Sequence, residues 1–145
     1  MILALDYGEK NTGIAISDEE EIFSFPFEVW PTFDLKKNPQ KLAQQIRNFS
    51  KITEIIIGLP KNLKNEDTPQ TQKAREFHDL IQKSFPEIKV SMVDERLTSA
   101  QLIKNIHSRG GSASKMRATK DKYEAALLLE FYLEWKKNEK ERIDS

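Results

Sequence analysis

Apolar and polar positions along the chain follow two rhythms, one suited to strands and one to helices. Met1-Ile2-Leu3-Ala4-Leu5 is a nearly continuous apolar run that stops at Asp6-Tyr7-Gly8, the pattern of a short strand buried on both faces. Beyond a tight turn at Glu9 and Lys10, residues 12–17 (Thr-Gly-Ile-Ala-Ile-Ser) read as a second strand, and residues 22–30 as a third. In the third run Phe23, Phe25 and Phe27 recur at a period of two, which puts the rings on one face and predicts that they are core. The first three elements predict an antiparallel meander.

The helical rhythm then takes over. Asn38-Pro39 offers an N-cap and a first-turn proline, and Leu42, Ile46 and Phe49 follow at amphipathic spacing. Glu54-Ile55-Ile56-Ile57-Gly58 is β-branched and apolar and stops at Leu59-Pro60, so it predicts a central strand. Thr68-Pro69 repeats the cap-and-proline start for a helix with Ala74, Phe77, Ile81 and Phe85 on one face and Pro86 beyond its end. Lys89-Val90-Ser91-Met92-Val93 is the fifth strand and runs into Asp94-Glu95-Arg96. Thr98 or Ser99 can cap a third helix carrying Leu102, Ile103 and Ile106, a loop follows at Gly110-Gly111, and residues 125–135 supply the buried face of a long last helix. Residues 136–145 mix both charges and predict a solvated helix end and tail. Strands alternating with helices after a meander predict an α/β domain over residues 1–145: a five-stranded mixed sheet, the three meander strands plus parallel strands, with helices on its faces.

Composition narrows the chemistry. No cysteine is present, which removes disulfides, thiolate zinc sites and a cysteine nucleophile, and only His78 and His107 are available as imidazoles. No apolar run approaches the roughly 20 residues that span a bilayer, and a signal-peptide pattern is missing, so a cytoplasmic protein without a membrane partner is expected. Lys+Arg and Asp+Glu both number 23, which argues against a surface that coats nucleic acid throughout. The total conceals a local excess. Residues 104–122 hold Lys104, Arg109, Lys115, Arg117, Lys120 and Lys122 against one acid, Asp121, and Gly110-Gly111-Ser112 makes part of that segment flexible. It reads either as a solvated loop or as a segment that closes over a nucleic-acid strand.

In an open sheet with crossover helices, ligands gather outside the carboxyl ends of the strands. Two strands here end in acids, at Asp6 and at Asp94-Glu95, and Asp121 sits one turn before the apolar face of the last helix. Carboxylates brought together repel one another unless a cation neutralises them, and oxygen donors suit Mg²⁺ or Mn²⁺. Two such ions about 3.5–4 Å apart can activate a water and offset charge on the leaving oxygen of a phosphodiester. Acids at strand ends and helix starts also serve as caps and loop residues, and spacing alone does not separate the two readings.

Four stretches in order, Leu3-Ala4-Leu5-Asp6-Tyr7-Gly8-Glu9-Lys10 with Gly13-Ile14-Ala15-Ile16-Ser17-Asp18, Ile57-Gly58-Leu59-Pro60, Val93-Asp94-Glu95-Arg96-Leu97-Thr98 and Lys120-Asp121-Lys122-Tyr123-Glu124-Ala125-Ala126, resemble the successive motifs of the YqgF family. That family comprises pre-16S rRNA nucleases and Holliday junction resolvases of RNase H-like fold, and the resemblance runs from residue 1 to about residue 133. It implies an acidic catalytic and metal-binding set of Asp6, Glu95 and Asp121 with Mg²⁺ or Mn²⁺. Lys10 and Arg96 beside these acids, with Arg109, Lys115, Arg117 and Lys120, are candidate phosphate contacts. Asp94 could instead orient Arg96. The chain departs from the family pattern at Asn11, where a basic residue is usual, at Thr12, where an aliphatic is usual, and in the loop over residues 61–68, which lacks glycine. These departures touch groups that could contact a phosphate backbone.

The function implied is a metal-dependent nuclease, a hydrolase of phosphodiesters in the 5′ processing of pre-16S rRNA during ribosome biogenesis. It would act as a monomer or homodimer on structured or single-stranded RNA. A resolvase of branched DNA, which needs two active sites for two strands, is the near alternative. A non-catalytic nucleic-acid-binding factor would use the basic segment and tolerate loss of an acid. An actin-like phosphotransfer protein could share the Asp-x-Gly turn, but that architecture needs two such domains. His78 is expected on a solvated helix side beside Asp79, and His107 near the basic segment could donate to phosphate.

Overall fold

The structure, a computed structural model, describes residues 1–59, 68–94 and 113–144. Its strands are β1 (Ile2–Asp6), β2 (Asn11–Ser17), β3 (Ser24–Pro31), β4 (Glu54–Leu59) and β5 (Lys89–Asp94). They form one mixed sheet in the order β3-β2-β1-β4-β5, antiparallel across β3-β2-β1 and parallel across β1-β4-β5. The meander and the parallel half are thus both as expected, and β1 is the middle strand. The helices are α1 (Thr32–Lys37), α2 (Lys41–Gln45), α3 (Pro69–Ser84) and α4 (Ala113–Asp144), with a 3₁₀ turn at Phe49–Lys51. The helix expected around Leu102, Ile103 and Ile106, the Gly110-Gly111 loop, His107 and residues 61–67 lie outside the described residues.

The continuous apolar run of β1 is explained by two cores. Leu3 and Leu5 face Ile14, Ile55 and Ile57 and are roofed by Leu42 of α2 and by Ala74, Phe77 and Ile81 of α3. Ile2 and Ala4 face Ala15, Ile56 and the α4 residues Ala125, Leu128, Leu129 and Leu133. Ala4, Ala15 and Ala125 are small and let α4 lie close to the strands. Each buried leucine or isoleucine contributes about 1.5–3 kcal/mol relative to exposure. The start of α3 follows from its sequence, because Thr68 and Thr71 form a reciprocal capping box, Thr71 N–H to Thr68 Oγ1 at 3.2 Å and Thr68 N–H to Thr71 Oγ1 at 2.7 Å, with Pro69 in the first turn.

Several expectations are corrected. The helix read through Leu42, Ile46 and Phe49 is broken: Asn38 closes α1, its N–H bonded to Asp34 O at 2.9 Å, Ile46 is extended, and Asn48 is left-handed with φ of 60°. Leu42 and Ile46 are buried all the same, so the apolar spacing reports two contacts with one core rather than one helix. The aligned rings of the third strand do not all enter the core either. The β2–β3 ladder slips between Ile14 and Ala15, which face Glu28 and Pro26, and leaves Phe27 as the extra residue of a bulge. Phe27 packs against the core edge-on to Trp30 at 6.0 Å, while Phe23 and Phe25 on the edge of the sheet are 62% and 55% exposed. His78 is not merely solvated, since its Nε2 lies 2.8 Å from the Val90 carbonyl and ties α3 to β5.

The last helix continues past residue 135 as expected but begins earlier than its predicted buried face, at Ala113, so Lys115, Arg117 and Lys120 lie on its first turns and not in a flexible loop. Near its other end it is cross-linked to the sheet. Glu54, only 5% exposed, accepts a hydrogen bond from the Tyr132 hydroxyl, and Lys136 lies 3.3 Å from Glu54 and 3.1 Å from Glu21. Lys136 is therefore no free solvated side chain. Among the described residues, no helix is long and apolar enough to cross a membrane.

Candidate active site

Because β1, β4 and β5 are parallel, their carboxyl ends share one edge of the sheet. Asp6 is the last residue of β1 and pairs with Gly13 of β2. Alternation places it with Ile2 and Ala4, on the face covered by α4. Asp94 ends β5 opposite Leu59 of β4. With strands about 4.8 Å apart, the backbones of Asp6 and Asp94 stand roughly 10 Å apart across β4. Asp121 belongs to α4, the helix that covers the face on which Asp6 stands. Thus the fold brings Asp6, the end of β5 and the helix carrying Asp121 into one half of the sheet. Glu95, Arg96 and Arg109 lie outside the described residues, and the side chains of Asp94, Lys115, Arg117, Lys120 and Asp121 are likewise outside them. Among the described residues, no three His, Asp or Glu side chains form a metal-binding group.

The turn after Asp6 is described in full. Tyr7 alternates to the other face, is 6% exposed, and sets its ring 5.0 Å from Phe77 of α3 with the Lys36 ammonium 5.4 Å from the ring centre. Its hydroxyl is buried with no hydrogen-bond partner among the described residues. Gly8 is required by space, since a Cβ there would meet the Asn11 carbonyl oxygen at 2.5 Å. Glu9 pairs with Lys73 of α3 at 2.7 Å. The hydrogen bond and charge of Lys73, with a smaller contribution from Lys36, hold the Glu9 carboxyl below its usual range, and Glu9 raises Lys73 in return. Lys10 is exposed on the same turn, and its carbonyl accepts from the Thr32 N–H at 2.9 Å.

Two outcomes bear on the sequence reading. Asn11 is exposed beside the site, but Thr12 is fully buried and bonds to Thr32 at 2.7 Å between hydroxyls, so it is no phosphate contact. Lys36 and Lys73 stand near the turn after Asp6 although sequence reasoning passed over them. They lie on other helices, and nothing local in the sequence marks them.

The architecture is that of an α/β domain with an acidic group at the carboxyl edge of its parallel strands. The chain belongs to the RuvX family, described as Holliday junction resolvase, whose model matches residues 1–135. Among its relatives, one from Endomicrobium trichonymphae is 35% identical over 95% of this chain and 98% of its own, and one from Maridesulfovibrio salexigens is 33% identical over 91% and 96%. A third, from Dictyoglomus thermophilum, is 32% identical over 92% and 94%. All three carry the name "Putative pre-16S rRNA nuclease". Among solved structures, a "putative sugar kinase" from Cytophaga hutchinsonii aligns at a TM-score of 0.46 and 16% identity over 70% of this chain and 38% of that one, a likeness too low to bear on function.

Proposed function

We propose that this protein is a divalent-metal-dependent nuclease that hydrolyses phosphodiesters in structured RNA, with the 5′ processing of pre-16S rRNA as its task. The observation that carries the reading is the position of Asp6, at the carboxyl end of the middle strand and on the face covered by the helix that bears Asp121. Asp6, Glu95 and Asp121 would hold the cation. An all-carboxylate donor set suits a hard ion such as Mg²⁺ or Mn²⁺. When bound, the ion supplies a water of lowered pKa and a counter-charge for the leaving oxygen. The chain's own part is to present these acids from rigid strand and helix positions and to offer cationic groups around them, Lys10 on the turn and, by chain position, Arg96, Arg109, Lys115, Arg117 and Lys120. No histidine base is needed by such a site, which accords with His78 serving as a link between α3 and β5.

The name of the family model favours a second reading, in which the substrate is a four-way DNA junction. The test therefore uses labelled precursor rRNA, single-stranded RNA and a four-way junction with Mg²⁺ or Mn²⁺, beside Asp6→Asn and Glu95→Gln. Cleavage of precursor rRNA that both substitutions abolish is expected. Cleavage that survives both would sink the proposed site, cleavage of the junction alone would replace RNA by branched DNA, and tight metal-independent binding without cleavage would make the protein a binding factor.

A further inference from the structure

The turn that carries the chain away from Asp6 is not held by the β1–β2 ladder, whose last pair is Asp6 with Gly13. It is held from outside by Thr32, the first residue of α1. The Thr32 hydroxyl donates to the Gly8 carbonyl at 2.6 Å, and its backbone N–H donates to the Lys10 carbonyl at 2.9 Å. Since the Thr32 proton is committed to Gly8, the 2.7 Å contact with Thr12 runs the other way, with the Thr12 hydroxyl as donor to Thr32. The result is a directed chain from Thr12 to Thr32 to the backbone two residues after Asp6. Both threonines are sealed from solvent, at 0% and 1% exposure.

Burying two hydroxyls costs free energy unless each is bonded, and an apolar pair would fill the same space without that cost. The bonds made here have one beneficiary, the turn behind Asp6. That turn has no slack, because the Gly8 Cα already sits where even a methyl group would strike the Asn11 carbonyl oxygen. A dry, fully bonded chain ending on such a turn fixes its position more tightly than apolar packing alone. We infer that Thr12 and Thr32 are positioning residues for the acidic site, clamping the turn after Asp6 so that its carboxylate is held at the edge of the sheet. The inference rests on the nuclease reading, and it gives the departure at Thr12 a structural purpose in this chain.

The test compares Thr32→Val, Thr12→Val, Thr32→Ser and Thr12→Ser with the wild type in three measurements. These are hydrogen exchange of the Glu9, Lys10 and Asn11 amides, Mn²⁺ affinity by calorimetry, and steady-state RNA cleavage. Thr32→Val is expected to speed exchange at the turn by about tenfold or more, the scale of one lost buried bond, while amides of α3 and β4 keep their protection. The same variant should weaken Mn²⁺ binding and lower kcat by about tenfold with KM for RNA within about twofold. Thr12→Val should act in the same direction and less strongly, since it leaves the bond to Gly8 in place, and both serine variants should restore wild-type values. Should Thr32→Val unfold the protein, Thr12→Val carries the same comparison alone. Wild-type kcat and Mn²⁺ affinity in both valine variants would overturn the inference and leave the nuclease reading standing, as would serine variants as defective as the valine ones. A wild-type protein that neither binds Mn²⁺ nor cleaves any substrate overturns the nuclease reading and this inference together.

Discussion

Tyr7→Phe is expected to stabilise the protein, although it removes a polar group from a buried residue next to the proposed active site. Among the described residues the Tyr7 hydroxyl is buried without a hydrogen-bond partner, and such a group costs about 1–3 kcal/mol of desolvation that folding does not recover. Everything else the side chain does belongs to the ring, namely the 5.0 Å contact with Phe77 and the position beneath the Lys36 ammonium. Phenylalanine keeps both and leaves behind only the small space of one oxygen atom. Setting that loss of packing against the desolvation gained gives a net stabilisation of about 1 kcal/mol, or a rise in Tm of roughly 2–4 °C for a domain of this size. Urea unfolding followed by circular dichroism measures the change directly, with an unchanged m-value as the control for two-state behaviour. A loss of about 1 kcal/mol or more would refute the reasoning, because it would mean that the hydroxyl has a partner in the folded protein.

Two further outcomes follow from the packing. Thr68→Ala removes the acceptor for the Thr71 N–H and half of the capping box, so a loss of about 0.5–2 kcal/mol is expected in the same urea assay, with Thr68→Ser close to wild type. The link between α4 and the sheet should fail in alkali. Burial and the bond to Glu54 raise Tyr132 above its ordinary value, and Lys136 is raised because its bonds and charge interactions with Glu21 and Glu54 outweigh a burial effect that alone would lower it. Both groups hold their protons longer in the folded state, so their contribution is complete below the unfolded pKa of about 10 and is lost as pH rises through the folded values. Wild-type Tm should fall more between pH 9 and pH 12 than that of Tyr132→Phe with Lys136→Met, and equal slopes would contradict the assignment.

What the sequence disclosed was local. The β1 run, the apolar stretch of β4 and the Thr68-Pro69 start of α3 are each set by neighbours within a few residues, and each appears where expected. Asp6 was legible for the same reason, as the residue that ends an apolar run. What stayed hidden depends on pairs far apart in the chain. Glu54 looked like the polar start of an apolar strand, yet it is buried against Tyr132 and Lys136, which come 78 and 82 residues later. Thr12 meets Thr32 across 20 residues, and Lys73 meets Glu9 across 64. The broken helix after Asn38 shows the converse, since a correct apolar spacing was produced by a left-handed Asn48 and an extended Ile46 rather than by a continuous helix.

The irregular edge strand has a consequence for the protein at high concentration. An outer strand bearing Phe25 and Val29 in the open would ordinarily invite another chain to pair with it and begin a growing ribbon. Pro26 and Pro31 withhold donors from any incoming ladder, and the extra residue at Phe27 throws the strand out of flat register. The bulge that sets the Phe27 ring on the core thus also keeps the exposure of Phe25 and Val29 from becoming a route to fibres. Replacing Pro26 by a β-branched residue would straighten the edge and put the solubility of the folded protein at risk.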